Sequence, residues 1–287
     1  MPTHSGRMPT LPFSENQPHQ HRQMAESFGS DAERYDQARP RYPEAMVDRI
    51  ATSSPGRDVP VVPDVLDILD VGCGTGIAAR QFQDAGHRVL GVEPDARMAE
   101  VARRLGTEVD VATFEAWDPA GREFDAVIAG QAWHWIDPVA GAAKAAQVLR
   151  PHARLAAFWN VFQLPPDLAE AVTTIYQRAV PDAPFDFRAM TRGGLDANQP
   201  ILTKAADGMR ETGVFGEPEQ WRFDWERTYT RDAWLDQIPT QGAFTRLPSD
   251  KLAEVLEGVG AAIDAMGGSF TMPYATVVIT ATRTAPA

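Results

Sequence analysis

Ile68-Leu69-Asp70-Val71-Gly72-Cys73-Gly74-Thr75-Gly76 reads as the end of a strand running into a turn built on three glycines, with a helical pattern from Ile77. Glycines at 72, 74 and 76 let the backbone double back and approach a ligand with no Cβ in the way. The helix that follows opens with free N–H groups. Asp70, two residues before the first glycine, places a carboxylate at the carboxyl end of the strand. In open α/β sheets that edge, near a topological switch point, is where ligands bind. A dinucleotide-binding turn would need G-x-G-x-x-G and therefore glycine at position 77, where this chain has Ile77.

Strand and helix signals alternate outward from this turn. Residues 66–71, 87–92, 108–112, 124–129 and 154–159 read as strands, and 77–85, 94–105 and 138–149 as helices, two of them stopped by Gly86 and Gly106. Strands joined by helical crossovers give a mostly parallel sheet covered on both faces. The pattern changes after Asn160. Residues 161–215 read as helices and irregular loops broken at Pro165-Pro166, Pro181, Pro184 and Gly193-Gly194, a candidate cap over a substrate pocket. The sheet resumes with strands at 221–227 and 275–280, separated by a helix opening at Thr230 and another over 249–266. On the other side, residues 1–23 are polar and rich in Pro, His and Gln, which predicts a mobile tail. There His4, His19 and His21 are more simply tail residues than metal ligands. Ser30-Asp31-Ala32-Glu33 has the form of a capping box with Ser30 as acceptor. The helix it opens stops at Arg39-Pro40, a second spans 43–51, and 52–63 is a linker.

The 287 residues suffice for one large domain or a core with a cap, and 44% hydrophobic with 23% charged residues is ordinary globular composition. A net charge of −12 argues against nucleic acid as a partner, since displacing its counterions takes clustered Lys and Arg. Cys73 is the only cysteine, which excludes an intramolecular disulfide and a cysteine-rich metal site and suits a reducing cytoplasm. No apolar run approaches the ~20 residues that span a bilayer, and the N-terminus lacks the apolar centre of a signal peptide. The expected setting is cytoplasmic, with no membrane partner.

With the acid ahead of G-x-G-x-G, ILDVGCGTG resembles the cofactor signature of class I S-adenosylmethionine-dependent methyltransferases. The resemblance implies a Rossmann-like, seven-stranded, mostly parallel sheet with helices on both faces, an N-terminal helical cover and a helical cap insertion. It implies S-adenosyl-L-methionine bound at Asp70, Gly72, Cys73, Gly74 and Gly76, with S-adenosyl-L-homocysteine as product. Glu93, ending the second strand in VLGVEPD, corresponds to the acceptor for the ribose hydroxyls, and Pro94 and Met98 to the helix beside the adenosine; taken alone, a carboxylate opening a helix is more often a cap favoured by the helix dipole. Thr113, Phe114 and Glu115 fall where the family surrounds adenine. The fourth strand, FDAVIAGQAWHW, implies that Gln131, Trp133, His134 and Trp135 sit beside the transferred methyl group. Trp133 and Trp135 are candidates for the substrate pocket or for the core. His134 is the candidate catalytic base or, alternatively, a backbone tie. FGSDAERYDQARPRYP resembles a small-molecule subset related to ubiquinone-biosynthesis and trans-aconitate methyltransferases, in which N-terminal helices fold over the cofactor. Phe28, Tyr35 and Arg39 then cover its methionine end, Arg39 pairing with the carboxylate, unless Tyr35 and Arg39 are plain helix surface. The implied layout is a tail to 23, a cover over 24–60, a cofactor core over 61–160, a cap over 161–215 and the rest of the sheet over 216–287. One departure is Arg150-Pro151-His152-Ala153-Arg154 where the family carries Pro-Gly-Gly, so that turn is expected to avoid glycine geometry.

The implied reaction is in-line displacement at a sulfonium methyl by a small organic acceptor, O-methylation being favoured, with approximation as the main source of rate and no metal required. Adenine and cytosine methyltransferases carry Asn/Asp-Pro-Pro-aromatic after the fourth strand, where this chain has Gly130-Gln131-Ala132-Trp133, and a paired-glutamate loop for protein arginine is also missing. Two other readings stay open: a catalytically silent cofactor-binding regulatory protein and, against Ile77, a nicotinamide-dependent oxidoreductase.

Overall fold

Along Asp67–Val71 (β1) the side chains alternate between two apolar layers, and that alternation organises the molecule. The computed structural model describes residues 27–54, 65–181, 187 and 194–284. The expected tail with its histidines, most of the 52–63 linker, Pro184 and Gly193 lie outside the described residues. Ile68 of β1 joins Met46, Ile50 and Phe82 on one face, while Leu69 and Val71 join the larger cluster on the other. Phe124–Gly130 (β4) repeats the pattern, with Ala126 and Ile128 on the first face and Val127 and Ala129 on the second.

Arg88–Glu93 (β2), Glu108–Val111 (β3), Leu149–Phe162 (β5), Glu219–Thr230 (β6) and Ser269–Thr282 (β7) complete a seven-stranded sheet of order β3-β2-β1-β4-β5-β7-β6. The first five strands run parallel, and β7 runs antiparallel between β5 and β6. The fold is a Rossmann-like arrangement, a mostly parallel sheet with helices on both sides. Winding reverses between β1 and β4, so the carboxyl ends of these two neighbours form the switch point.

Two N-terminal helices precede the sheet, Ala32–Ala38 (α1) and Glu44–Thr52 (α2). Ile77–Asp84 (α3) follows β1, Ala96–Arg104 (α4) follows β2 and Pro138–Val148 (α5) follows β4. Asp31, not Ser30, caps α1, accepting from the Arg34 N–H at 3.1 Å, while the Ser30 hydroxyl turns back to the Ser27 carbonyl. A 3₁₀ turn over Phe28–Asp31 moves the helix start one residue on. The expectation for 150–154 also fails: His152 sits at φ 65°, in the left-handed region, held by its N–H on the Arg283 carbonyl at 3.0 Å. Pairing with the end of β7 sets that backbone whatever the residue.

The stretch expected as one cap divides in two. Pro166–Ala179 (α6) packs with Arg231–Gln237 (α8) and Ser249–Ala265 (α9) around Leu168, Val172, Tyr176, Trp234, Val255 and Val259. Their base is the far end of the β6–β7 ladder, where Tyr229, Phe270 and Met272 lie beyond the last residue of β5 to pair, Phe162 with Tyr274. Gly194–Glu211 (α7) instead lies on the sheet, burying Leu202, Ala205 and Met209 beside α5. A Cβ at Gly208 would meet the Pro138 carbonyl, so glycine permits this close crossing. No described helix is long and apolar enough to cross a membrane.

Candidate active site

The glycine turn takes φ of 65°, 57° and 82° at Gly72, Gly74 and Gly76, all left-handed. The Gly72 N–H donates to the Val92 carbonyl at 2.8 Å and Gly76 N–H to Cys73 carbonyl at 2.8 Å, which folds the turn over the end of β2. Glu93 fastens it further: Oε2 accepts from the Gly74 N–H and Oε1 from the Asp95 N–H, each at 2.9 Å. A Cβ at Gly72 would lie 2.6 Å from that of Ala132, whereas one at Gly74 would meet only the Met98 terminal methyl, at 3.7 Å. The side of the turn above Gly74 is thus not filled by protein. Below it lies Asp70, 1% exposed, with no cationic partner among the described residues and only the Ala79 backbone N–H near its carboxylate. Burial, reinforced by the charge of Glu93, pushes the Asp70 carboxyl up to about 8. Burial likewise pushes Glu93 up to about 7, against the pull of its two amide donors. Two buried acids with no ion pair among the described residues make a floor suited to a ligand that brings its own positive charge.

The N-terminal segment roofs this floor. Phe28 and Tyr35 pack against Met98, which is 5% exposed, and Phe28 sets its ring edge-on to Tyr35 and Trp135 at 6.1 and 6.3 Å. The Arg39 guanidinium lies 4.9 Å over the Tyr35 ring. Its Nη2 donates to the Thr240 carbonyl, tying roof to cap, and its Nε is buried without a partner. Tyr42, between α1 and α2, packs against the end of β4 and against β5. Gln81 clamps its backbone from both sides, at 2.9 Å on the N–H and 2.7 Å on the carbonyl. Its ring meets Phe158 edge-on at 4.7 Å, and a Cβ at Gly130 would come within 2.8 Å of its hydroxyl. Burial, then the charges of Tyr35 and Asp70, push that phenol well up.

The turn after β4 sorts its aromatics differently from the sequence expectation. Gln131 (φ 55°) donates from its N–H to the Phe158 carbonyl at 2.8 Å and from its side chain to the Asn160 carbonyl at 3.3 Å. Trp133–Trp135 is a 3₁₀ turn. With three residues per turn, positions 133 and 135 leave on different sides instead of sharing a face as strand residues would. Trp133 is 2% exposed and packs against Phe114 and α5 in the core, so it does not line the site. Trp135 faces Phe28 and the roof. His134 accepts the Trp159 indole N–H on Nδ1 at 3.1 Å, and burial lowers its pKa to about 4. A neutral ring accepting at Nδ1 carries its proton on Nε2, so it can donate a hydrogen bond but is not set up to take a proton.

The remaining expected positions spread out. The Cys73 thiol points under Gly91 into a small cluster with Ala99, Ala102 and Val109, leaving only its backbone at the turn; burial pushes the thiol up. Pro94 and Glu115 are exposed. Thr113 closes its own turn, its carbonyl accepting from the Ala116 and Trp117 N–H groups at 3.1 and 2.9 Å. Phe114 is 3% exposed and belongs to the core with Trp117 and Trp133. Asn160, at the end of β5, was not foreseen. It accepts from the Thr276 hydroxyl at 2.6 Å and donates to the Arg41 carbonyl at 3.3 Å, while Thr276 accepts the Trp225 indole N–H at 2.9 Å. This relay pins the roof to the sheet, and only the pairing of β5 with β7 brings its members together. Among the described residues no group of three or more His, Cys, Asp or Glu is arranged to hold a metal ion.

Residues 69–157 match the methyltransferase domain family. An uncharacterized methyltransferase of Mycobacterium bovis is 25% identical over 272 residues, 91% of this chain and 97% of that protein. A ubiquinone biosynthesis O-methyltransferase of Methylocella silvestris is 38% identical over only 82 residues, 26% of this chain and 32% of its own length. Among solved structures, an Anaeromyxobacter dehalogenans protein provisionally assigned as a type II methyltransferase is 25% identical, covers 84% of this chain and 97% of its own, and superposes with a TM-score of 0.57.

Proposed function

We propose that this chain, whose residues 69–157 match the methyltransferase domain family, is a class I S-adenosylmethionine-dependent methyltransferase that methylates an oxygen of a small organic acceptor held between the roof and the β6–β7 side of the sheet. The observation that carries this is Asp70, a buried carboxylate with no cationic partner among the described residues, beneath the glycine turn and beside Glu93. Asp70 and Glu93 would hold the cationic and hydroxyl-bearing parts of the cofactor, the open side of Gly74 its close approach, and Met98, Phe28 and Tyr35 its apolar surface. When bound, S-adenosylmethionine supplies a sulfonium methyl that passes to an acceptor lone pair while the carbon–sulfur electron pair returns to sulfur, leaving S-adenosylhomocysteine. The roof excludes water through Tyr42 and the Arg39–Thr240 tie.

The neutral His134 argues for a donor that orients a partner instead of a general base. An acceptor oxygen that ionises by itself, such as a carboxylate, suits a site whose histidine takes no proton. The test is direct. Calorimetric titration with S-adenosylmethionine and S-adenosylhomocysteine should show saturable binding, and labelled-methyl transfer across a metabolite library should yield a methyl ester or ether. Absence of binding by folded protein overturns the reading, and binding with no transfer to any acceptor turns it into a silent cofactor-binding protein.

A further inference from the structure

Beside the roof lies an open cleft of about 560 Å³, and its lining has the opposite charge to the floor. Four guanidinium groups border it: Arg39, Arg41, Arg80 and Arg227. The one carboxylate in the lining, Asp36, is taken by Arg80 at 2.6 Å. Arg39, Arg41 and Arg227 form no ion pair among the described residues. On a chain of net charge −12 such a cluster is a local reversal of field, and the side chains of Arg39, Arg80 and Arg227 are held in place. Arg39 is fixed by the Tyr35 ring and Thr240, Arg227 lies 4.6 Å over the Tyr229 ring, and the Arg41 backbone is bonded by Asn160. Trp225 supplies a rigid wall, stacked on Tyr274 at 4.3 Å with its indole N–H on Thr276. The cleft also reaches Ile77, and no side chain caps the start of α3. Tyr42 lies in the cleft lining and abuts Gly130 at the end of β4, so cleft and switch point share a wall.

We infer that this cleft receives the acceptor and that the acceptor is an anion, a small molecule bearing a carboxylate or phosphate recognised by Arg41 and Arg227. The inference rests on the methyltransferase reading above and narrows it to a substrate class. Guanidinium groups offer paired donors that match the oxygens of either group. A cofactor with one carboxylate would engage at most one of them and leave the others facing a second ligand. A cationic acceptor would meet three unpaired guanidinium groups and be repelled.

The test uses succinate and inorganic pyrophosphate as probes, titrated by calorimetry into the protein saturated with S-adenosylhomocysteine and, in parallel, into the unloaded protein. At least one anion should bind saturably, more weakly as salt rises, while glycerol and ethylenediamine should not. Arg41→Gln and Arg227→Gln should each weaken the anion about tenfold or more, the scale for losing a charge-assisted hydrogen bond. S-adenosylhomocysteine affinity should stay within about twofold, and unchanged thermal unfolding should show that both variants are folded. No binding of either anion by wild type, equal binding of the uncharged or cationic probe, or two variants that bind like wild type would each overturn the inference. Failure of S-adenosylhomocysteine to bind would overturn the cofactor reading instead, and the unloaded titration would still judge the cleft.

Discussion

Cofactor affinity is expected to weaken as pH falls below neutrality, with Asp70 as the principal cause. Burial and the neighbouring Glu93 hold the Asp70 carboxyl at about 8, so in the unliganded protein it is mostly protonated at pH 7. A sulfonium or ammonium group set beside it favours the ionised form, so binding must release a proton. For a group of pKa about 8 that has to ionise, the dissociation constant scales as one plus the ratio of proton concentration to acid constant. Moving from pH 7 to pH 6 then weakens binding about ninefold. Glu93, at about 7, adds about fivefold over the same interval if it also ionises. Calorimetry between about pH 6 and pH 7.5 keeps the cofactor's own amino group, whose ordinary value is near 8, mostly protonated. Two buffers of different ionisation heat count the protons released. Asp70→Asn should bind more weakly at pH 7.5 and lose most of the slope. A pH-independent affinity, or a slope undiminished in Asp70→Asn, would refute the reasoning. The same shifts act on stability in the absence of ligand. A carboxyl whose folded value is raised stabilises the fold fully below the ordinary carboxylate range, and that contribution is lost as pH rises through the folded value. Thermal unfolding of the unliganded protein should therefore show these two groups favouring the fold near pH 5 more than near pH 8, with saturating cofactor narrowing the difference.

Glu93→Ala should weaken cofactor binding by about 1–3 kcal/mol and also lower unliganded stability, because the Gly74 and Asp95 amides lose their acceptor; Glu93→Gln, keeping one acceptor oxygen, should restore part of the stability but not the affinity. Thermal melts with and without ligand separate the two effects. Gly72→Ala and Gly74→Ala should differ: the first meets the Ala132 Cβ at 2.6 Å and destabilises the fold, whereas the second meets only Met98 at 3.7 Å and should fold, at a backbone cost of about 1–2 kcal/mol, while losing cofactor. If Gly74→Ala binds like wild type, the space above the turn is not the cofactor's. For His134, with its imidazole held at about 4, the rate should show no loss near pH 6.5 attributable to this residue, and His134→Ala should cost about 1–3 kcal/mol of stability by stranding the Trp159 indole. An acid limb near pH 6.5 that disappears in His134→Ala would restore it as the base.

The local sequence determined the elements whose backbone conformation is written into single residues. Three glycines two apart after an apolar strand permit only a tight left-handed turn, and Asp70 and Glu93 at strand ends lie at one sheet edge because parallel strands align their carboxyl ends. The alternation of strands and helices likewise carried the sheet and its two covered faces. What the sequence left undecided depends on contacts between residues far apart in the chain. Residues 161–215 looked like one cap because Pro165-Pro166, Pro181, Pro184 and Gly193-Gly194 break the helical pattern; only packing on α5 gives Leu202, Ala205 and Met209 of Gly194–Glu211 a face to bury. Trp133 and Trp135 parted company because a 3₁₀ turn, not the strand period, governs the end of β4. The tautomer of His134 was set by an indole 25 residues away and its neutrality by burial, and the docking of Tyr42 and Arg41 by Gln81 and Asn160. Nor could a chain of net charge −12 reveal that Arg39, Arg41, Arg80 and Arg227 converge, since β6 is brought to the N-terminal segment only by its pairing with β7.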